Sequence, residues 1–202
     1  MSAGRIVVAA FLGAIAMFVW TAIAHMATPL GTTGVKQIPN EAPVLAALQS
    51  SLGHEQGLYI YPGMGVALDA PRSEQQAGMA NYQQKLDVNP SGILIYRPAG
   101  VKAMEPKRLI HEFLFQFLET LLLAILLSMT ALSTIGGRVG FSILVGLIAA
   151  ASTNLSYWNW YGFPSDYTHV AMFVETVKYL VAGAVIALLM RKSGGTTKTA
   201  AA

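Results

Sequence analysis

Four stretches of this chain are each long and apolar enough to cross a lipid bilayer, and that constrains the fold more than anything else in the sequence. A helix spanning the hydrocarbon core needs about 20 mostly apolar residues. Such runs extend from Ile6 to Met26, Leu109 to Leu132, Val139 to Tyr157 and His169 to Met190. Charge is correspondingly scarce: 11% of the 202 residues are charged, against about 25% in an average soluble domain. With 54% hydrophobic residues, a disordered chain is excluded and an ordinary soluble domain is disfavoured. The sequence has no cysteine, which excludes disulfides, zinc–thiolate sites, iron–sulfur clusters and cysteine nucleophiles.

The expected fold class is therefore an α-helical integral membrane protein with four transmembrane helices. A small α/β extracytoplasmic domain separates the first helix from the second. Residues 1–28 read as an N-terminal transmembrane anchor, 29–107 as the extracytoplasmic domain, 108–192 as a three-helix transmembrane bundle, and 193–202 as a flexible cytoplasmic tail. The connections Ser133–Arg138 and Trp158–Thr168 are short, so the last three spans should run antiparallel to their neighbours.

Placing the charges sets the orientation. Arg5, Arg138, Arg191, Lys192 and Lys198 fall at one edge with no acidic residue beside them. In the long segment, Lys36, Arg72, Lys85, Arg97, Lys102 and Lys107 meet an equal number of acidic residues. Short basic flanks mark the cytoplasmic side, whereas long loops count for little. Both termini are thus expected in the cytoplasm, and a bacterial inner membrane suits the chain best. The net charge of +3 then reports topology, and no nucleic-acid partner is expected. Tyr157, Trp158, Trp160, Tyr161 and Tyr167 form an aromatic belt at the outer interface. A cleavable signal peptide competes for the first span, because Arg5 gives a basic start and Ala22-Ile23-Ala24 a small-x-small site. Its apolar run of about 19 residues exceeds the usual 7–15 of such peptides, which favours an anchor.

The segment between the first two spans alternates helix and strand. Asn40 stands where it can cap a helix from Glu41 to about Leu52, ended by Gly53. Gly57-Leu58-Tyr59-Ile60-Tyr61 reads as a strand stopped by Pro62-Gly63. Ser73 with Gln76 resembles a capping box for a helix reaching about Leu86. Ile93-Leu94-Ile95-Tyr96 is a second strand. Two strands joined by a helix suggest parallel pairing through a right-handed crossover. A domain this small buries little apolar surface, so it should lean on the helix ends or on a partner. Gly63-Met64-Gly65 lacks the lysine and following helix of a phosphate loop.

The candidate site lies among polar residues within the spans. Glu112, Gln116 and Glu119 recur at i, i+4 and i+7 in the second span; the fourth carries Glu175 and Lys178, and the third Asn154. A charge at mid-bilayer costs about 2.5–3.5 kcal/mol on insertion scales, so such groups turn toward a bundle interior or cavity. Glu119 and Lys178 fall at similar depth, which makes them partners across helices, with Glu175 a local alternative at i,i+3. Together these six residues outline a ligand or ion pocket opening outward above an apolar floor. His25, His111 and His169 all fall near the same interface and could bind a metal. Equally, interfacial water satisfies such histidines, so no cofactor is the simpler expectation. No complete catalytic constellation is present, which favours a non-enzymatic protein. The leading reading is a partner-binding or accessory subunit, contacting the bilayer and a membrane-protein partner or further copies of itself. A small transporter or ligand-handling protein using the outward pocket is the alternative, and a membrane enzyme with a histidine metal site a third.

Overall fold

The computed structural model describes residues 2–190. The expected cytoplasmic tail 193–202, and with it Lys198, lies outside the described residues, as do Arg191 and Lys192. In chain order the elements are α1 (Ala3–Met26), α2 (Glu41–Leu52), β1 (Gly57–Tyr61), α3 (Arg72–Val88), β2 (Gly92–Tyr96), α4 (Pro106–Met129), α5 (Ile135–Tyr161) and α6 (Ser165–Leu189). A single 3-10 turn, Pro29–Gly31, follows α1. Helices α1, α4, α5 and α6 are long and apolar enough to cross a membrane, so the chain is a helical membrane protein. The α5–α6 connection is shorter than expected. Helix α5 continues through Trp158 and Trp160, and only Gly162–Pro164 separates it from α6. Trp158 Nε1 closes this corner by donating to Ser165 Oγ at 3.1 Å.

The chain divides into two compact units, one holding α1 with α4, α5 and α6, the other spanning Lys36–Ala103 together with Trp160–Gly162. In the first unit α1 is not a detached anchor beside a three-helix bundle. It runs antiparallel to α4, where Thr120 Oγ1 donates to the Ala10 carbonyl at 2.9 Å. It also runs antiparallel to α6: Arg5 Nε donates to the Leu189 carbonyl at 2.9 Å and Trp20 Nε1 to that of Val174 at 3.0 Å. Arg5 thereby places a cation on the carbonyl end of α6, where the helix dipole favours one. Helix α5 lies antiparallel to α6, with Gly146 against Tyr179 and Ser142 against Gly183. The start of α1 and the end of α6 therefore share one end of this unit.

Packing inside the unit sets small side chains beside a few large ones, Met17, Leu123, Leu127 and Ile186. Ala9, Ala10, Ala14, Ala182 and Ala187 are buried, whereas Val8, Phe115, Ile148 and Phe173 point outward. A soluble protein would invert that order. In lipid, tails solvate large apolar groups, and close backbone approach along small residues holds helices together. Arg138, expected as a flanking surface charge, is buried instead, with Nε donating to the Leu132 carbonyl at 3.0 Å.

The second unit corrects the expected strand pairing: β1 and β2 are antiparallel, Gly57 opposite Tyr96 and Tyr61 opposite Gly92. The intervening chain explains it. After β1 the segment 62–71 runs back alongside α3. Lys85 Nζ donates to the Gly63 carbonyl at 2.9 Å, and Gln75 Nε2 to those of Leu68 and Ala70. An extended segment and a helix in opposite directions nearly cancel, returning the chain to the end of β1 it left. The helix starts also differ from expectation. Asn40 takes a left-handed conformation (φ 51°) and makes no side-chain cap bond. Ser73 lies inside α3, which begins one residue earlier behind Pro71. Of residues 36–103, Gly78 alone is buried, so this unit has no apolar core of its own.

Candidate functional site

Lys178 organises the polar interior of the helical unit. Helices α4 and α6 both oppose α1, so they run parallel, and this brings Glu119 to the level of Lys178. Lys178 Nζ lies 2.9 Å from Glu119 Oε2 and 2.9 Å from Glu175 Oε1. The interhelical and local partners are thus engaged together. The lysine side chain is 10% exposed and its two carboxylates 32% and 29%, so the cation is the more deeply buried member. Its ammonium also stands 5.6 Å from the Tyr179 ring centroid. Two carboxylates share one cation, leaving the group one formal negative charge.

A second polar network joins α4 to α1. Gln116 is buried, and its Nε2 donates to Thr21 Oγ1 at 3.1 Å and to Glu112 Oε1 at 2.8 Å. Glu112 itself is exposed. One turn further along α4, Thr120 is fully buried, its hydroxyl 2.9 Å from the carbonyl oxygens of both Ala10 and Gln116, alternative acceptors for its one proton. Residues at i, i+4 and i+7 on α4 therefore serve two neighbours: Gln116 reaches α1 while Glu119 reaches α6.

Beside Glu175 a cavity of about 240 Å³ opens between the end of α1, the turn after it, α5 and α6. His25, Thr33, Asn154, Tyr167 and Glu175 supply its polar lining. Local sequence builds its roof. Thr28 Oγ1 donates to the Ala24 carbonyl at 2.8 Å and accepts from Leu30 N at 3.2 Å, folding the chain back over the end of α1. Gly34 then passes so near Tyr167 that an added Cβ would lie 2.6 Å from its backbone nitrogen. Tyr167 in turn packs on Phe163, and Phe163 on Tyr157, with ring centroids 5.5 and 5.3 Å apart.

Of the six pocket residues expected from sequence, Asn154 and Glu175 line this cavity, and Lys178 and Glu119 join it through Glu175. Gln116 and Glu112 belong to the α1–α4 network. The three histidines are not gathered: among the described residues no three His, Asp or Glu side chains come close enough to hold a metal ion. His25 alone of them lines the cavity. Sequence reasoning missed Thr33 as a lining group and Thr21 as the partner of Gln116. The signal for the first was Thr28-Pro29 followed by Gly31 and Gly34, which foretells a tight return of the chain. No protein-family model matches this chain, and no curated protein or solved structure is similar to it.

Proposed function

We propose that this is a multi-pass inner-membrane protein with cytoplasmic termini, whose extracytoplasmic domain, residues 29–107, binds a membrane-protein partner as an accessory subunit. One observation carries the reading. Leu58, Ile60, Ile93 and Ile95 pair across the two strands on one face of the ribbon, and Leu58, Ile60 and Ile95 are 66%, 53% and 73% exposed. A two-stranded ribbon is marginal by itself, and contiguous exposed aliphatic surface marks an interaction site. Among the described residues no third strand pairs with the ribbon, and an unpaired edge is a template for another strand. Purification in mild detergent should recover a stoichiometric second protein with the wild type. Leu58→Lys/Ile95→Lys should lose it while keeping the helical circular dichroism. Recovery of a monomer or homo-oligomer alone from both would sink the reading.

The orientation rests on the positive-inside bias and has its own test. Because the chain lacks cysteine, Ser91→Cys provides a single reactive thiol. A membrane-impermeant maleimide added to intact cells or spheroplasts should label it, whereas Ser133→Cys should react only after the membrane is opened. The opposite pattern reverses the topology.

A second reading, a small ligand-handling or transport protein, is favoured by the cavity, which joins Asn154 and Glu175 to the Lys178 ion group.

A further inference from the structure

The polar lining of the cavity is rich in acceptors. Asn154 Nδ2 already donates to the Ala150 carbonyl at 2.9 Å, which leaves its Oδ1 to accept. The Thr33 hydroxyl donates to the Pro29 carbonyl at 2.9 Å, so its oxygen too is left with lone pairs. Glu175 engages Lys178 through Oε1 and retains a second carboxylate oxygen, an acceptor only. The nearest cation, Lys178, is held between two carboxylates. Tyr167 lines the same wall. The space therefore offers several acceptors, a tyrosine and a carboxylate of a net-negative group, beside the donor capacity of His25 and the Tyr167 hydroxyl.

We propose that this cavity binds a small primary ammonium, with Glu175 as counter-charge, Asn154 Oδ1 and Thr33 Oγ1 as acceptors, and Tyr167 against the cation. The proposal rests on the ligand-handling reading and names its ligand class. An anion would meet the Glu175 carboxylate of a net-negative group. A divalent metal would want several carboxylate or carbonyl oxygens, and no three His, Asp or Glu side chains converge among the described residues. A three-donor ammonium matches acceptors spread over separate walls, and aromatic faces attract such cations. Size agrees as well: about 240 Å³ equals the liquid volume of about eight waters, enough for a few heavy atoms and below the about 300–1,000 Å³ of drug-sized sites.

The same ammonium arrives either on a free amine or on an aminophospholipid headgroup. Calorimetric titration of the full chain in phosphatidylcholine nanodiscs, with ethanolamine hydrochloride as probe, tests the proposal. Ethylene glycol serves as neutral isostere, glycolate as anionic control and potassium chloride as bare-cation control. Ethanolamine should bind about tenfold or more tightly than each control, as expected when a charge-assisted hydrogen bond is gained. Glu175→Gln should weaken it by about tenfold or more. Since Glu175→Gln also disturbs Lys178, Asn154→Leu is the second variant: it leaves the ion group intact and should weaken binding about five- to tenfold. In nanodiscs containing phosphatidylethanolamine, loss of the ethanolamine signal identifies the lipid headgroup as the source, and an unchanged signal identifies the free amine; both outcomes support the proposal. Equal or tighter binding of glycol, glycolate or potassium, sensitive to Asn154→Leu, overturns the ammonium assignment and leaves a ligand pocket. If no probe binds the folded wild type, or if neither variant changes ethanolamine binding, the site itself is refuted.

Discussion

Lys178→Met should cost the helical unit about 3 kcal/mol, the lower end of what breaking a buried ion pair costs. The substitution keeps much of the side-chain volume, so the loss is electrostatic in origin. It leaves Glu119 and Glu175 facing one another without the ammonium that lies 2.9 Å from each. The lower end applies because each carboxylate is about a third exposed and water screens part of the repulsion. The check is unfolding of the purified chain in detergent micelles, followed by helical circular dichroism. Lys178→Met/Glu119→Gln/Glu175→Gln removes all three charges together and should recover stability to within about 1 kcal/mol of wild type, since removing a whole ion group is far gentler than orphaning part of it. If the single variant matches wild type in stability, the ion group contributes nothing to the fold.

The triple variant also separates two roles. Interhelical polar contacts in membranes average about 0.6 kcal/mol, little return for placing three ionisable groups within the spans. A stable triple variant that has lost ethanolamine binding assigns the charges to the pocket. One that keeps both stability and binding leaves them only helix register.

What the sequence made legible follows from how far each signal reaches. Continuous apolar runs are local, and all four long helices stand close to where hydropathy puts them. The level of Glu119 with Lys178 was also accessible, because depth in a bilayer can be counted along each helix separately. Azimuth is different. Nothing in the α1 sequence distinguishes a peripheral anchor from a central helix, since its lipid-facing Val8 and Phe11 and its buried Ala10 and Met17 are all apolar. Small size marks most of the packed side, Met17 excepted, and size is a weaker cue than polarity. The antiparallel ribbon was missed for another reason. Its direction depends on the segment 62–71 lying back along α3, held by Lys85 and Gln75 to main-chain carbonyls. Such contacts to carbonyls leave no residue-type signature on the segment that accepts them. The cavity roof lies between these extremes: Gly31 and Gly34 announce a tight return of the chain, but not that Tyr167 meets it.

Gly183→Ala should destabilise the unit by about 2 kcal/mol, within the usual cost of overfilling a packed interior. In a free helix the same change would help by about 1 kcal/mol, so the sign of the effect identifies the interface. A Cβ at residue 183 would overlap the Ser142 side chain on α5, and one turn further along, Gly146 approaches Tyr179 to 2.7 Å from where its own Cβ would lie. The two contacts lock α5 to α6 from opposite sides. Ser142 cannot simply rotate away, because it is fully buried and its hydroxyl donates to the Arg138 carbonyl at 2.9 Å. Moving the side chain across the interface provides the decisive control. Ser142→Gly makes room for the new methyl, so Ser142→Gly/Gly183→Ala should lie above Gly183→Ala in unfolding free energy, even though Ser142→Gly alone introduces a helix-weakening glycine worth about 1 kcal/mol. The excess over additivity measures the steric coupling between α5 and α6. If Gly183→Ala is neutral or stabilising in the same micelle assay, these helices do not approach along this seam, and the α5 wall of the cavity, with Asn154, loses its footing.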